Sequence, residues 1–236
     1  MRDRHQPATG TAADLALARV QTETRRVSDW AGITSPKVTI VAGLRGTGDD
    51  STADIRPLGC GHGYGYEINM PLRVVQGCSP AALQWLVAHE VGHAAARNTV
   101  QKRLRIAALA LALVSALLSL LTTVGGAVAE LSGGSDPWML VRMAALGFFL
   151  LMLLGISALR RHDELNADAF AVAYLGDVQG AEQYFSFVED SRQPNGAHRF
   201  VRTFLRPLRS HPAHHERLQF MRAQIIIGPG PGVAGG

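Results

Sequence analysis

Residues 89–93 read HEVGH, within a stretch that has a helical pattern of apolar positions. Ser79-Pro80 precedes this stretch, and a serine N-cap followed by a proline in the first turn is typical of a helix start. Residues four positions apart share one face of a helix, so His89 and His93 can reach the same metal ion. Glu90 lies beside the first imidazole and can meet a water bound to that ion. The stretch therefore predicts a metal-binding helix.

A catalytic metal needs a third protein ligand and an open position for water. The candidate lies in RRHDELNADAFA, residues 160–171, where Glu164 and Asp168 are four positions apart and share a helix face. We expect Glu164 to bind the metal and Asp168 to accept the free ring N–H of a ligand histidine. The alternative is an exposed acidic pair on a solvated helix. Together with HEVGH, the pair predicts one catalytic Zn²⁺, with Glu90 as the general base.

Further polar residues lie in SHPAHHERL, residues 210–218. His211 is a candidate donor to the oxyanion that forms when water attacks a peptide carbonyl. Arg217 follows in the same segment and is a candidate for supporting the site. His214 and His215 are predicted to be exposed polar residues rather than metal ligands.

Two apolar runs, residues 106–128 and 143–159, contain no charged residue. The first is long enough to cross a bilayer core of about 30 Å, and a short polar connection joins it to the second. The two runs predict a membrane hairpin. The alternative is a buried core hairpin of a soluble protein, but the rest of the chain is too small to wrap both runs.

Basic residues flank the predicted hairpin at its two outer ends, before the first run and after the second. They are Arg97, Lys102, Arg103 and Arg105 before the first run, and Arg160 and Arg161 after the second. The connection between the two runs offers only Arg142, beside Glu130 and Asp136. Because basic residues favour the cytoplasmic side, both flanks and the active site are predicted to be cytoplasmic and the loop external. We expect an integral membrane protein of a bacterial inner (cell) membrane.

The sheet signals are weaker than the helical ones. Val38–Ala42 is predicted to be a buried strand, and residues 43–65 a long loop. Tyr66–Val75 is predicted to be a second strand, at the sheet edge because Pro71 cannot donate to a ladder. The predicted fold class is mainly α with a small β-sheet (α+β). Expected divisions are an amphipathic helical segment (1–35), a first catalytic part (36–104), the transmembrane hairpin (105–159), a second catalytic part (160–227) and a flexible Gly/Pro tail (228–236).

Composition narrows the function classes. Hydrophobic residues make up 47% of the 236-residue chain and charged residues 18%, which excludes a disordered chain. The net charge is +4, but no nucleic-acid-binding module accompanies it. The arginines next to the apolar runs instead favour the lipid bilayer as a partner. Two cysteines cannot form a disulfide framework.

Four elements in this order carry a family resemblance: HEVGH, a hydrophobic hairpin, ELNAD preceded by two arginines, and HP with an arginine six residues after the histidine. The set resembles the membrane-embedded zinc metallopeptidase family that includes the bacterial heat-shock protease HtpX and the CAAX prenyl-protein endopeptidases. The resemblance implies a zincin-like metallopeptidase domain interrupted by a two-helix transmembrane hairpin. It implies zinc bound by His89, His93 and Glu164, catalysis by Glu90, transition-state stabilisation by His211, and Asp168 beside the ligands.

The same resemblance implies an edge strand that pairs with an extended polypeptide substrate. Its residues would be Tyr66, Glu67, Ile68, Asn69 and Met70. The implied function is a membrane-bound zinc metalloendopeptidase that hydrolyses membrane or membrane-proximal proteins, including misfolded ones. One alternative is an intramembrane zinc protease, although HEVGH lies before the basic residues that flank the first span. The other is a catalytically silent membrane adaptor with the same fold.

Overall fold

A computed structural model describes residues 5–7, 10–44, 54–57, 66–96, 99–131, 138–191 and 212–227. It confirms that the chain is mainly helical with a small sheet. The helices are α1 Thr11–Trp30, α2 Leu72–Gly77, α3 Pro80–Ala95, α4 Thr99–Leu131, α5 Met139–Leu175, α6 Gln179–Ser191 and α7 His214–Ile227. The strands are β1 His5–Pro7, β2 Lys37–Leu44, β3 Asp54–Pro57 and β4 Tyr66–Pro71.

The described strands form one mixed sheet in the order β1-β2-β4-β3. Strands β2 and β4 are parallel, while β1 and β3 pair antiparallel with their neighbours. The edge-strand prediction for Tyr66–Met70 is therefore wrong, because β3 pairs along the outer side of β4 and places Ile55 opposite Ile68. Strand β3 has only four residues, which is too short for alternation to mark it within the predicted loop.

The predicted extension of β4 to Val75 is also wrong, because Leu72–Gly77 is the helix α2. Pro71 is the last residue of β4 and the N-cap of α2, with φ −62° and ψ 134°. Its missing N–H costs little there, since the first N–H groups of a helix have no intrahelical partner. The proline marks the change from strand to helix rather than an edge of the sheet.

Helix α3 is the central helix of the core that positions the site. It packs against α1 and α6, and its fully buried side chains include Leu83, Trp85 and Val91. A helix that is apolar on nearly every side is a buried helix. Its predicted start is confirmed, because the Ser79 hydroxyl accepts a hydrogen bond from the Ala82 N–H at 3.1 Å.

Two long helices carry the apolar runs. Ile106–Val128 in α4 and the helix Met139–Leu175 are long and apolar enough to cross a membrane, with a mean hydropathy of 2.3 each. Only 17% and 6% of their most apolar windows are buried, which argues against a soluble core hairpin. Arg142 Nη2 of α5 donates to the Thr122 carbonyl of α4 at 3.2 Å.

The described residues fall into two compact units. One consists of the described residues within Met1–Arg97, Asp163–Asn195 and Pro212–Gly236, and the other of those within Asn98–His162. Helix α5 supplies residues to both units and ends at Leu175. Gly176 follows it, and its φ of +78° suits the glycine that comes directly after a helix. All the site residues described below belong to the first unit.

Candidate metal centre

Helices α3 and α5 bring together two imidazoles and one carboxylate. One nitrogen or oxygen from each of His89, His93 and Glu164 lies within 4.8 Å of the others. The Nε2 atoms of the histidines are 3.2 Å apart, and each lies 3.6 Å from one oxygen of Glu164. Two histidines and a glutamate are a known donor set for catalytic zinc, with a fourth position open to water. These three side chains could therefore hold a metal ion.

Asp168 lies behind the first histidine, one turn along α5 from Glu164. Its side chain is fully buried, and its Oδ1 lies 3.0 Å from His89 Nδ1. This contact leaves Nε2 of His89 facing the cluster, since the carboxylate accepts the proton of the other ring nitrogen. Asp168 therefore lies where a carboxylate can orient the ring of His89.

Arg217 of α7 completes the buried polar network. Its Nε and Nη2 donate to the two Asp168 oxygens at 2.7 and 2.6 Å, a bidentate pair. Its Nη1 lies 3.7 Å from Glu164 Oε2. The guanidinium carbon is 5.5 Å from the centroid of Trp85 and 5.0 Å from that of Phe185, within the range of cation–π attraction. Arg217 therefore contacts both carboxylates, Asp168 and Glu164, and the aromatic rings of Trp85 and Phe185.

The two histidines differ in their affinity for protons. Burial disfavours the charged form of His89, but its hydrogen bonds to Asp168 and Glu164 raise its pKa to about 9. Burial and the neighbouring charge of His89 lower the pKa of His93 to about 3. Because a metal binds neutral imidazole, metal binding at His89 competes with its proton.

The group that could hold a metal does not include every predicted site residue. Glu90 is buried on α3, directly after His89. His211 lies outside the described residues. His215 is exposed, as predicted, but the prediction for His214 is wrong, because its side chain is only 24% exposed and packs on α6.

Sequence reasoning missed the aromatic side chains around Arg217. Trp85 stacks on His89 with ring centroids 5.2 Å apart, and Phe185 of α6 meets Trp85 edge-on at 5.2 Å. The spacing of Trp85, four residues before His89, was a usable signal because it places both rings on one helix face. No local pattern indicates Phe185, since it belongs to a helix nearly a hundred residues later.

The glycine of HEVGH permits the close approach of α3 and α5. A Cβ added at Gly92 would lie 3.1 Å from two Phe170 side-chain carbons and 3.2 Å from the backbone Cα of Ala167. A neighbouring helix backbone cannot move aside as a side-chain tip can. Gly92 therefore lets Glu164 reach the histidines from the facing helix.

We expect Gly92→Ala to weaken metal binding. Overpacking costs about 1–3 kcal/mol, which outweighs the gain of about 1 kcal/mol in helix propensity. Thermal melting and Co²⁺ titration of the purified protein measure both effects. The matched control is Gly155→Ala, because a Cβ at that helical glycine meets nothing within 4 Å. Metal affinity equal to that of the control would contradict the packing argument.

We expect Asp168→Ala to lower metal affinity by about 10–100-fold, as changes to groups that orient a ligand usually do. The variant also leaves Arg217 buried without its bidentate partner, so thermal stability should fall as well. Asp168→Asn is the informative companion, because it keeps the volume and one acceptor. Zn²⁺ competition with a chromophoric chelator measures the affinities, and wild-type affinity in both variants would refute the role of Asp168.

One comparison with known proteins identifies the family of this chain. The sequence model described as peptidase family M48 matches residues 60–225 and so includes HEVGH, Glu164, Asp168 and Arg217. No curated protein and no solved structure gave a significant match. The match covers more than half of the chain, and the resemblance found in the motifs is confirmed. The chain belongs to peptidase family M48, and it is accordingly a metal-dependent peptidase.

Proposed function

We propose that this chain is a membrane-bound zinc metalloendopeptidase that hydrolyses peptide bonds in membrane or membrane-proximal proteins, including misfolded ones. The observation that carries the proposal is the convergence of His89, His93 and Glu164 within 4.8 Å in a peptidase of family M48. Zinc is the proposed metal because two imidazoles and one carboxylate are its donor set in peptidases.

The proposed chemistry assigns one task to each group. Zinc, when bound, supplies a water of lowered pKa and polarises the scissile carbonyl. Glu90 takes the proton from the attacking water and passes it to the leaving amine. Asp168 and Arg217 keep His89 in the ligating tautomer. His211 donates a hydrogen bond to the oxyanion that forms from the scissile carbonyl oxygen.

The membrane part of the proposal is supported by α4 and α5, which are long and apolar enough to span a bilayer. We propose that residues 105–159 form the transmembrane hairpin between the two catalytic parts, 36–104 and 160–227. The basic residues on both flanks favour a cytoplasmic active site. Substrates would then be extended polypeptide segments on the cytoplasmic side of the inner membrane.

Labelling of a Ser135→Cys variant tests this topology. We expect an impermeant thiol reagent to reach residue 135 from outside intact cells, because the connecting loop lacks the basic residues that favour the cytoplasm. A cysteine placed at exposed Arg222 in α7 is the matched control and should react only after lysis. The opposite pattern would overturn the orientation.

The activity is tested with the full-length chain in detergent. Zinc content is measured by elemental analysis, and hydrolysis of a quenched fluorescent peptide is followed with and without a chelator. We expect zinc close to one ion per chain, loss of hydrolysis on chelation, and recovery when Zn²⁺ is restored. A zinc-loaded protein that binds the peptide without cleaving it would indicate the adaptor instead.

A further inference from the structure

The imidazole of His214 packs against α6 at the first turn of α7. Its ring stacks on Phe185, with centroids 4.5 Å apart and an interplanar angle of 9°. Its Nδ1 lies 3.1 Å from Glu189 Oε1 on the same helix. Phe185 and Glu189 are four residues apart and share one face of α6, so a single imidazole meets both. These two contacts fix the position and the orientation of the ring.

Phe185 connects this contact to the metal centre. The ring that stacks on His214 also lies 5.0 Å from the guanidinium carbon of Arg217. His214 and Arg217 are three residues apart on α7, so they face the same way. The Phe185 ring therefore contacts both His214 and Arg217, which lie on one face of α7. Phe185 is almost completely buried, with 3% of its surface exposed.

The orientation of Arg217 matters because its contacts are directional. A bidentate pair with Asp168 requires the guanidinium to be coplanar with the carboxylate, and Asp168 in turn contacts His89. Arginine has many rotamers, and fixing its side chain in one of them costs conformational entropy that the surrounding contacts must offset. The start of α7 must therefore be held in place against α6 for Arg217 to reach across to α5.

We propose that His214 is a positioning residue of the metal centre, which holds Arg217 in its bidentate geometry through Phe185. The inference rests on the proposed metal site and adds a residue that is linked to the ligand His89 through Phe185, Arg217 and Asp168. His214 touches neither the ligands nor the reacting atoms. It acts by docking the first turn of α7 onto α6.

The experiment compares the Co²⁺ affinity and the Co²⁺ absorption spectrum of full-length variants. His214→Ala removes both contacts, and His214→Phe keeps the stacked ring but not the hydrogen bond to Glu189. His215→Ala is the matched control, because it changes the adjacent, exposed histidine. Arg222→Ala is the second control, because it breaks another α6–α7 contact, the exposed ion pair with Glu182.

We expect His214→Ala to lower Co²⁺ affinity by about tenfold, at the low end of outer-shell effects, and to alter the absorption bands. His214→Phe should keep an affinity within about threefold of wild type. Both controls should retain the wild-type spectrum. If His214→Ala fails to fold, Phe185→Leu replaces it, since leucine keeps the apolar volume without the ring and should give the same loss of affinity.

Two outcomes would overturn the inference while leaving the metal site intact. One is a wild-type spectrum and affinity in both His214→Ala and Phe185→Leu. The other is an equal loss of affinity in Arg222→Ala, which would show that any loosening of α7 has this effect. Failure of the wild-type protein itself to bind Co²⁺ would instead contradict the proposed function.

Discussion

Glu90→Gln is expected to abolish peptide hydrolysis while leaving the metal in place. The glutamine amide keeps the size of the buried side chain but cannot accept the proton of the attacking water. A general base contributes about 10²–10⁴-fold to the rate, so turnover should fall by at least that range. His89, His93 and Glu164 are unchanged, and zinc content should match that of the wild-type protein.

Quenched-peptide kinetics and elemental analysis on the same preparation test this separation of roles. Gln84→Ala is the matched control, because Gln84 is exposed on the same helix, α3. The control should retain both zinc and turnover. Wild-type turnover in Glu90→Gln would end the proposed mechanism, and loss of zinc would show that Glu90 holds the metal centre together.

Glu164→Ala is expected to lose the metal altogether. It removes the carboxylate from a donor set of three, and two histidines on one helix cannot close the site. Substitution of a residue that only hydrogen-bonds to a ligand already lowers metal affinity by about 10–100-fold. Loss of the ligand itself should therefore lower it by more than the upper end of that range. Hydrolysis should fall with zinc content, and added Zn²⁺ should restore little of it.

Asp163→Ala is the matched control for this variant. It removes the adjacent carboxylate of α5, which is not part of the group that could hold a metal. We expect the zinc content of this control to stay close to wild type. Equal zinc content in Glu164→Ala and Asp163→Ala would show that the third ligand lies elsewhere.

The two expected phenotypes differ in a way that also tests the geometry. Glu90→Gln should contain zinc but hydrolyse no peptide, whereas Glu164→Ala should neither contain zinc nor hydrolyse peptide. Glu90 and Glu164 are both carboxylates in a largely buried region, and their proposed roles differ only because Glu164 faces both histidines at 3.6 Å. A shared phenotype would mean that this assignment is wrong.

The metal helix and the hairpin were predictable because their signals are local. The Ser79-Pro80 start, the four-residue spacing of the histidines and the apolar runs each depend on neighbouring residues. The ExxxD pair was found in the same way, because Glu164 and Asp168 share a helix face. The family resemblance depended on the order of these elements along the chain, and the family match then confirmed the family.

The sheet was predicted less well, because strand order is not a local property. The proline in β4 was correctly located as an interruption, but it was assigned to a sheet edge instead of a strand end. The actual neighbour, β3, comes from a stretch without a periodic pattern, and only the folded chain shows that it pairs with β4. Which strands pair depends on residues far apart in the sequence, so the pattern within a short strand does not identify its partner.

The sequence by itself determined which side chains could bind a metal and which helices could cross a membrane, because helical periodicity and charge are readable within a few turns. Only the tertiary structure decided what surrounds the ligands. Arg217 meets Asp168 across 49 positions, and Phe185 joins Arg217 to His214 from a third helix. These contacts depend on how α3, α5, α6 and α7 pack together, and packing selects partners by shape and charge rather than by spacing along the chain.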